Sequence, residues 1–110
     1  MNLGLRDHKS ATLRIATPEC IPEEMRERVR EILSVHSTNP RKSHATLLMH
    51  QVCAEADCAG ILLILQPHKF DEGMPDEKLE DWYEKFGFVR IQTDPVVLMA
   101  RQVQPRVVLQ

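Results

Sequence analysis

Two neighbouring segments near the middle of the chain, an amphipathic stripe and a short apolar run, constrain its fold most strongly. From Ala45 to Ala56 the sequence ATLLMHQVCAEA repeats apolar side chains every three or four residues, which predicts a helix with one buried face. Gly60 predicts the end of that helix. The run ILLILQ, residues 61–66, has the length and composition of a strand covered on both faces, so we expect it at the centre of a sheet.

The C-terminal third predicts one more helix and two strands. PHKFDEGMP is a predicted loop, after which Asp76 begins a helix that ends at Gly87. The apolar face of this helix consists of Leu79, Trp82, Tyr83 and Phe86. FVRIQ and VVLMA are predicted strands joined through TDP, and the tail 102–110 has no assignment.

The N-terminal half is harder to interpret. ATLRIAT predicts a strand over residues 11–16, and a helix opening at Pro22 is expected next. The helix expectation depends on a three-to-four-residue apolar repeat, formed by Ile21, Met25, Val29 and Ile32. ILSVHS fits either the last turn of this helix or a short strand. The element order predicts a single α/β (α+β) domain spanning residues 1–110.

Composition excludes several classes of protein. A net charge of −2 provides no basic surface for nucleic acid, and no apolar segment is long enough to cross a membrane. The N-terminus carries charges where a signal peptide needs an apolar stretch, so we expect a cytoplasmic protein. Three cysteines without a CxxC pair predict reduced thiols, and the histidines and cysteines lack the spacing of a zinc site. No metal is therefore predicted.

The segment NPRKSHATLL places a basic turn directly before a predicted helix. Ser43 is a predicted N-cap, and Arg41 and Lys42 lie beside the free N–H groups and the positive dipole end of the helix. Such a turn can bind a pyrophosphate. From these residues alone, an ordinary capped helix with basic neighbours is the commoner explanation of the pattern.

Three quoted stretches together resemble the coenzyme A-binding half of the GNAT acetyltransferase superfamily, in particular its short members from phages and prophages. They are PRKSHATLLMHQVCAEADCAGILLILQP, LEDWYEKFGF and PVVLMAR, and the resemblance covers about residues 36–101. Upstream, LRIATPECIPEEMRERV is similar to the first strand and first helix of the family. The resemblance implies a minimal GNAT-like mixed sheet flanked by helices, with most of the central antiparallel meander missing.

The resemblance also implies a coenzyme site at the basic turn. In the family this turn holds the pyrophosphate of acetyl-CoA, which makes Arg41, Lys42, Ser43, His44, Ala45 and Thr46 the expected coenzyme-binding residues. Ala45 fits the small residue that closes the motif, whereas Ser43 stands where the family prefers glycine. Arg41, Lys42 and a protonated His44 are expected to add charge-assisted contacts.

WYEKFGF is similar to the family's helix-ending signature, in which a tyrosine projects toward the coenzyme sulfur. Tyr83 is thus the expected general acid that protonates the departing thiolate. Its spacing alone indicates a residue packed at the edge of the core. For the general base, His68, Asp71 and Glu72 follow the central strand, and they fit ordinary solvated loop residues as well.

The resemblance therefore implies an N-acyltransferase that uses acetyl-CoA or another acyl-CoA and an amine acceptor, which the sequence does not identify. An alternative is a non-catalytic GNAT-like interaction protein, encoded by a phage, that binds a protein partner. A shortened sheet also leaves an edge that could pair with a second copy and form a homodimer.

Overall fold

The structure is a computed structural model that describes residues 1–19, 21–38, 43–67 and 76–104. Along the chain the elements are β1 (Gly4–His8), β2 (Ala11–Ala16), a 3₁₀ turn (Glu23–Met25), β3 (Val29–Ser37), α1 (His44–Ala59), β4 (Leu62–Leu65), α2 (Asp76–Glu84), β5 (Val89–Gln92) and β6 (Leu98–Arg101). The strands form one sheet in the order β1-β2-β3-β4-β6-β5, in which β3 and β4 are parallel and the other neighbours antiparallel. The predicted α+β class with a mixed sheet is confirmed, as are β2, α1, β4, α2, β5 and β6.

The helix α1 forms where the apolar stripe predicted it. Its buried side chains are Leu48, Met49, Val52, Cys53 and Ala56. Gly60 ends the helix in a left-handed conformation with φ of 71°, and its N–H reaches the carbonyl groups of Ala56 and Asp57. As the crossover between two parallel strands, α1 begins at the end of β3 and leads into β4.

The strand β4 lies between β3 and β6, so its predicted central position is confirmed. Leu63 and Leu65 are fully buried, whereas Leu62 and Ile64 on the other face are half-buried. Full coverage of both faces, which the apolar run predicted, is therefore wrong. Inward residues of β2, β3, β4 and β6 form one cluster with residues of both helices, which places α1 and α2 on the same face of the sheet.

The helix expected from Pro22 to Ile32 is wrong. Only the 3₁₀ turn forms there, and Val29 already belongs to β3. Strand pairing overrides the apolar repeat, because Val29 pairs with Leu62 and Ile32 with Ile15. Arg14 pairs with Ser34, which leaves Leu33 as the extra residue of a β-bulge. The bulge turns Ile32 and Val35, three residues apart, toward the helices, so that a strand acquires helical spacing.

The N-terminal half also corrects the expectation that most of an antiparallel meander is missing. β1 pairs antiparallel with β2, and β2 pairs antiparallel with β3, so these three consecutive strands form an antiparallel meander. Its third strand, β3, occupies part of the segment that was expected to be a helix. β1 has no counterpart among the predicted elements. Its Arg6 forms a bidentate ion pair with Glu55 of α1, at 2.8 and 3.0 Å, which fixes this edge strand to the helix.

A buried ion pair joins α1 to β6. Arg101, only 6% exposed, donates two hydrogen bonds to the carboxylate of Asp57, at 2.7 and 2.9 Å, and a third to the carbonyl oxygen of Phe86. The backbone N–H of Gln104 donates to the same carboxylate. The hydrogen bonds from Arg101 lower the pKa of Asp57, although its partial burial acts in the opposite direction. This pair fixes the C-terminal part of the sheet against α1.

Candidate functional site

The parallel strands β3 and β4 separate partway along their length. They pair from Val29 with Leu62 to Ile32 with Leu65, after which β4 ends while β3 continues for five more residues, to Ser37. A shallow cleft opens at this point. Its lining residues are Ile32, Leu33, Ser34, Val35, Gln66, Pro67 and Tyr83. The cleft therefore lies at the carboxyl end of β4, beside the middle of β3. Open α/β sheets commonly bind ligands at the carboxyl ends of their strands.

Tyr83 lies in α2, where it packs in the core and also borders the cleft. It is 5% exposed and belongs to the hydrophobic cluster, with its ring edge-on to Trp82 and Phe88 at centroid distances of 5.1 and 5.9 Å. It also lines the cleft between β3 and β4. A rigidly packed ring beside the cleft can present its hydroxyl group with little loss of conformational freedom.

α1 is the next element of the chain after β3 and begins at His44, seven positions after Ser37. Ser43, the residue before the helix, has φ of 57° and ψ of 22°, a left-handed conformation that glycine adopts more easily than serine. Its carbonyl oxygen accepts the N–H of Leu47 at 3.1 Å, but its side chain makes no capping hydrogen bond to the first turn. The predicted N-cap role of the Ser43 side chain is therefore wrong, because the left-handed backbone replaces the extended conformation of an N-cap.

His44, the first residue of α1, contacts the turn between β1 and β2. Its Nδ1 lies 2.5 Å from the hydroxyl oxygen of Ser10 and 3.3 Å from the backbone nitrogen of Ser10. A backbone N–H can only donate, so this contact favours Nδ1 as an acceptor, with a ring proton on Nε2. The charge-assisted contact expected of a protonated His44 stays a prediction.

Ala45 and Thr46 continue the first turn of α1. Ala45 is half-buried and packs against the core. The hydroxyl oxygen of Thr46 accepts the indole N–H of Trp82 at 3.4 Å. The expected coenzyme-binding residues from Ser43 to Thr46 therefore lie together at one helix end, and one of them is joined to the helix that carries Tyr83.

The remaining expected site residues fall outside the described ranges. These are Arg41 and Lys42 of the basic turn and His68, Asp71 and Glu72 after the central strand. Within residues 1–19, 21–38, 43–67 and 76–104, no three His, Cys, Asp or Glu side chains are grouped as metal ligands. Burial raises the pKa of the Cys53 thiol to about 11, so this group is protonated near neutral pH. In the same ranges, no helix has the length and apolar composition to cross a membrane.

Several polar residues near the site were not singled out from the sequence. Ser34 and Gln66 line the cleft, and Ser10 and Ser37 are hydrogen-bonded to each other at the start of α1. Gln66 is the last residue of the predicted strand 61–66 and could have been found from its position at the strand end. No sequence signal identifies Ser10, because its partners lie 27 and 34 residues away.

Solved structures with a similar fold include an anti-CRISPR protein, AcrVA5, and a protein from Staphylococcus aureus MU50 that is assigned as an acetyltransferase. AcrVA5 superposes with a TM-score of 0.66 and 20% identity over 89% of this chain and 98% of that chain. The S. aureus protein superposes with a TM-score of 0.62 and 14% identity over 86% of this chain and 65% of that chain. No protein-family model and no curated protein matches the sequence.

Proposed function

Because the chain has a GNAT-like fold, we propose that it binds acetyl-CoA or another acyl-CoA and transfers the acyl group to an amine. The observation that carries this proposal is the separation of β3 from β4 with Tyr83 on the resulting cleft. A cytoplasmic location, where reduced thiols persist, forms part of the same proposal.

The coenzyme would bind along two features of the described structure. Beyond Ile32, β4 provides no ladder partner for β3, so backbone groups on that side of β3 are suited to the amide groups of the pantetheine arm. The first turn of α1 has N–H groups that the helix itself does not satisfy, which suits the diphosphate. Arg41 and Lys42 immediately precede this turn in sequence and would add charge-assisted contacts.

Tyr83 would serve as the general acid. The acceptor amine attacks the thioester carbonyl carbon, and a tetrahedral intermediate forms. When the intermediate collapses, the C–S bond breaks and the Tyr83 hydroxyl protonates the departing thiolate. The amine loses its extra proton to solvent, and Tyr83 is reprotonated from solvent. A phenol with an ordinary pKa of about 10 is a suitable acid toward a thiolate.

Calorimetric titration with acetyl-CoA tests the proposal directly. We expect saturable binding and a rise in melting temperature with coenzyme concentration, because a ligand specific for the folded state stabilises it by mass action. Native mass spectrometry of the same sample reports bound coenzyme and oligomeric state together. Absence of binding at millimolar acetyl-CoA would refute the acyltransferase function.

The second candidate function is a non-catalytic protein that retains the fold and acts by binding a protein partner. Its support is the likeness to AcrVA5, described as an anti-CRISPR protein, over nearly the whole of that chain, together with serine at the left-handed position before α1. A phage origin belongs to this proposal. Coenzyme binding without turnover on any tested amine would favour it over the enzyme. A homodimer through the sheet edges at β1 or β5 would appear as doubled mass in the same native spectrum.

A further inference from the structure

Ser10 makes hydrogen bonds to both sides of the connection from β3 to α1. Its hydroxyl oxygen lies 3.2 Å from the hydroxyl of Ser37, the last residue of β3, and 2.5 Å from Nδ1 of His44, the first residue of α1. Its carbonyl oxygen accepts the backbone N–H of Thr38 at 3.0 Å, and its own N–H reaches His44 Nδ1 at 3.3 Å. Ser10, in the turn between β1 and β2, therefore contacts both the end of β3 and the start of α1.

The chemistry of these contacts sets the direction of each proton. In the Nε2–H tautomer, which the backbone N–H of Ser10 favours, the N–H and the hydroxyl of Ser10 share the single lone pair of Nδ1, and the Ser10 oxygen is left to accept from the Ser37 hydroxyl. The resulting order of donation runs from Ser37 to Ser10 to His44. This order of donation would favour the Nε2–H tautomer of His44 and fix the orientation of its ring. The ring of His8 packs edge-on against the same imidazole at 5.9 Å.

We infer that Ser10 is a positioning residue, which holds the first residue of α1 against the end of β3 and thereby sets the affinity of the helix N-terminus for the coenzyme diphosphate. The coenzyme part of this inference rests on the proposed function. A shift of the helix start by about an ångström would misalign its N–H groups with a bound phosphate, because hydrogen bonds weaken steeply with distance and angle.

Substitution of Ser10 tests the inference with matched controls. We expect Ser10→Ala to weaken acetyl-CoA binding about tenfold and to raise KM by a similar factor while kcat stays unchanged, because Tyr83 is untouched. Ser10→Thr retains the hydroxyl and should remain within about twofold of the wild type. Thr12→Ala removes a hydroxyl from the neighbouring strand β2 and should change neither constant. Equal affinity of Ser10→Ala and wild type would overturn the inference.

Coupling to the basic residues separates positioning from general stability. In an Arg41→Ala/Lys42→Ala background, we expect Ser10→Ala to have little further effect on coenzyme affinity, because it acts through the same phosphate contacts. A full tenfold effect in that background would overturn the positioning role. Melting temperatures of all variants identify any that lose the fold.

The contact itself has a readout that needs no coenzyme. Long-range ¹H–¹⁵N spectra, with the His44 signals identified by their loss in His44→Gln, should show the Nε2–H tautomer in the wild type at pH 7.5. Ser10→Ala should mix the tautomers, and Ser10→Thr should restore the wild-type signals. An Nδ1–H tautomer in the wild type would overturn the inference. Failure of the wild type to bind acetyl-CoA would remove the proposed function and the coenzyme part of the inference, while these spectra still decide the contact.

Discussion

The indole N–H of Trp82 lies 3.4 Å from the hydroxyl oxygen of Thr46 and joins α2 to the first turn of α1. The next residue, Tyr83, lines the cleft between β3 and β4. Two adjacent aromatic residues of α2 therefore connect the two parts of the proposed site, one through a hydrogen bond to the helix start and the other at the cleft.

Thr46→Val should lower the free energy of unfolding by about 1 kcal/mol, because it leaves the half-buried indole N–H of Trp82 without this acceptor. Trp82→Phe removes the donor instead. Urea denaturation of the two single variants and the double variant should give non-additive losses. Additive losses would show that the two groups do not interact. Because Trp82 is the only tryptophan, its fluorescence follows unfolding of the wild type and Thr46→Val, and circular dichroism follows the variants that lack it.

Ser43→Gly should raise the free energy of unfolding by up to about 1 kcal/mol, because glycine adopts the left-handed backbone at this position without steric cost. Ser43→Val should lower it by more than that, since a branched side chain is disfavoured at positive φ. Thermal denaturation ranks the three proteins. If valine is tolerated as well as glycine, the left-handed conformation at residue 43 is wrong. In the acyltransferase proposal, Ser43→Gly should also bind acetyl-CoA at least as tightly as the wild type.

Replacing both Arg41 and Lys42 by alanine should weaken acetyl-CoA binding by about 2 to 4 kcal/mol, because charge-assisted contacts contribute roughly 1.5 to 3 kcal/mol each and do not add fully. The melting temperature without coenzyme should hardly change. Arg14→Ala/Lys85→Ala alters the net charge equally at two exposed positions and provides the control. Unchanged affinity in the Arg41/Lys42 double variant would locate the coenzyme elsewhere.

Tyr83→Phe keeps the ring that packs against Trp82 and Phe88 and removes only the hydroxyl group. We expect kcat to fall by roughly a hundredfold with little change in acetyl-CoA affinity, because proton donation assists only the breaking of the C–S bond. A panel of amines, polyamines, amino acids and protein lysines must first identify an acceptor. Retention of the wild-type rate would leave Tyr83 with a packing role alone.

Asp57→Asn should destabilise the protein by about 2 to 3 kcal/mol near pH 6, because it leaves the buried guanidinium of Arg101 without its counter-ion. Removing one partner of a fully buried ion pair typically destabilises a protein by about 3 to 5 kcal/mol. We expect a smaller loss here because 17% of the Asp57 side chain remains exposed. The pKa of Asp57 is lowered in the folded protein, so its stabilising effect is present above the unfolded pKa, near 4, and is lost as pH falls through the folded value.

Urea denaturation at pH 6 and pH 3 measures this effect. The difference in unfolding free energy between wild type and Asp57→Asn should shrink at the lower pH. Asp7→Asn, at an exposed position of β1, serves as the control for the loss of one carboxylate. A difference that grows toward pH 3 would contradict the direction of the Asp57 shift.

Local sequence patterns were sufficient for the elements whose residues pack in a regular period. The apolar stripe and Gly60 predict α1 and its end, and a short apolar run predicts β4. The apolar face before Gly87 predicts α2. The resemblance of the segment around Tyr83 to a known signature added its expected role. The structure confirms where Tyr83 lies in the fold, and its chemistry stays a prediction.

The tertiary structure decided the elements whose conformation depends on distant partners. Val29–Ser37 has helical spacing in sequence, but pairing with β2 on one side and β4 on the other, together with the bulge at Leu33, makes it a strand. β1 carries little apolar pattern and is fixed by its pairing with β2 and by the Arg6–Glu55 ion pair. Ser10 joins Ser37 and His44 across 27 and 34 residues. Hydrogen bonds between segments so far apart in the chain leave no periodic signal in the sequence, because only the folded backbone brings their donors and acceptors together.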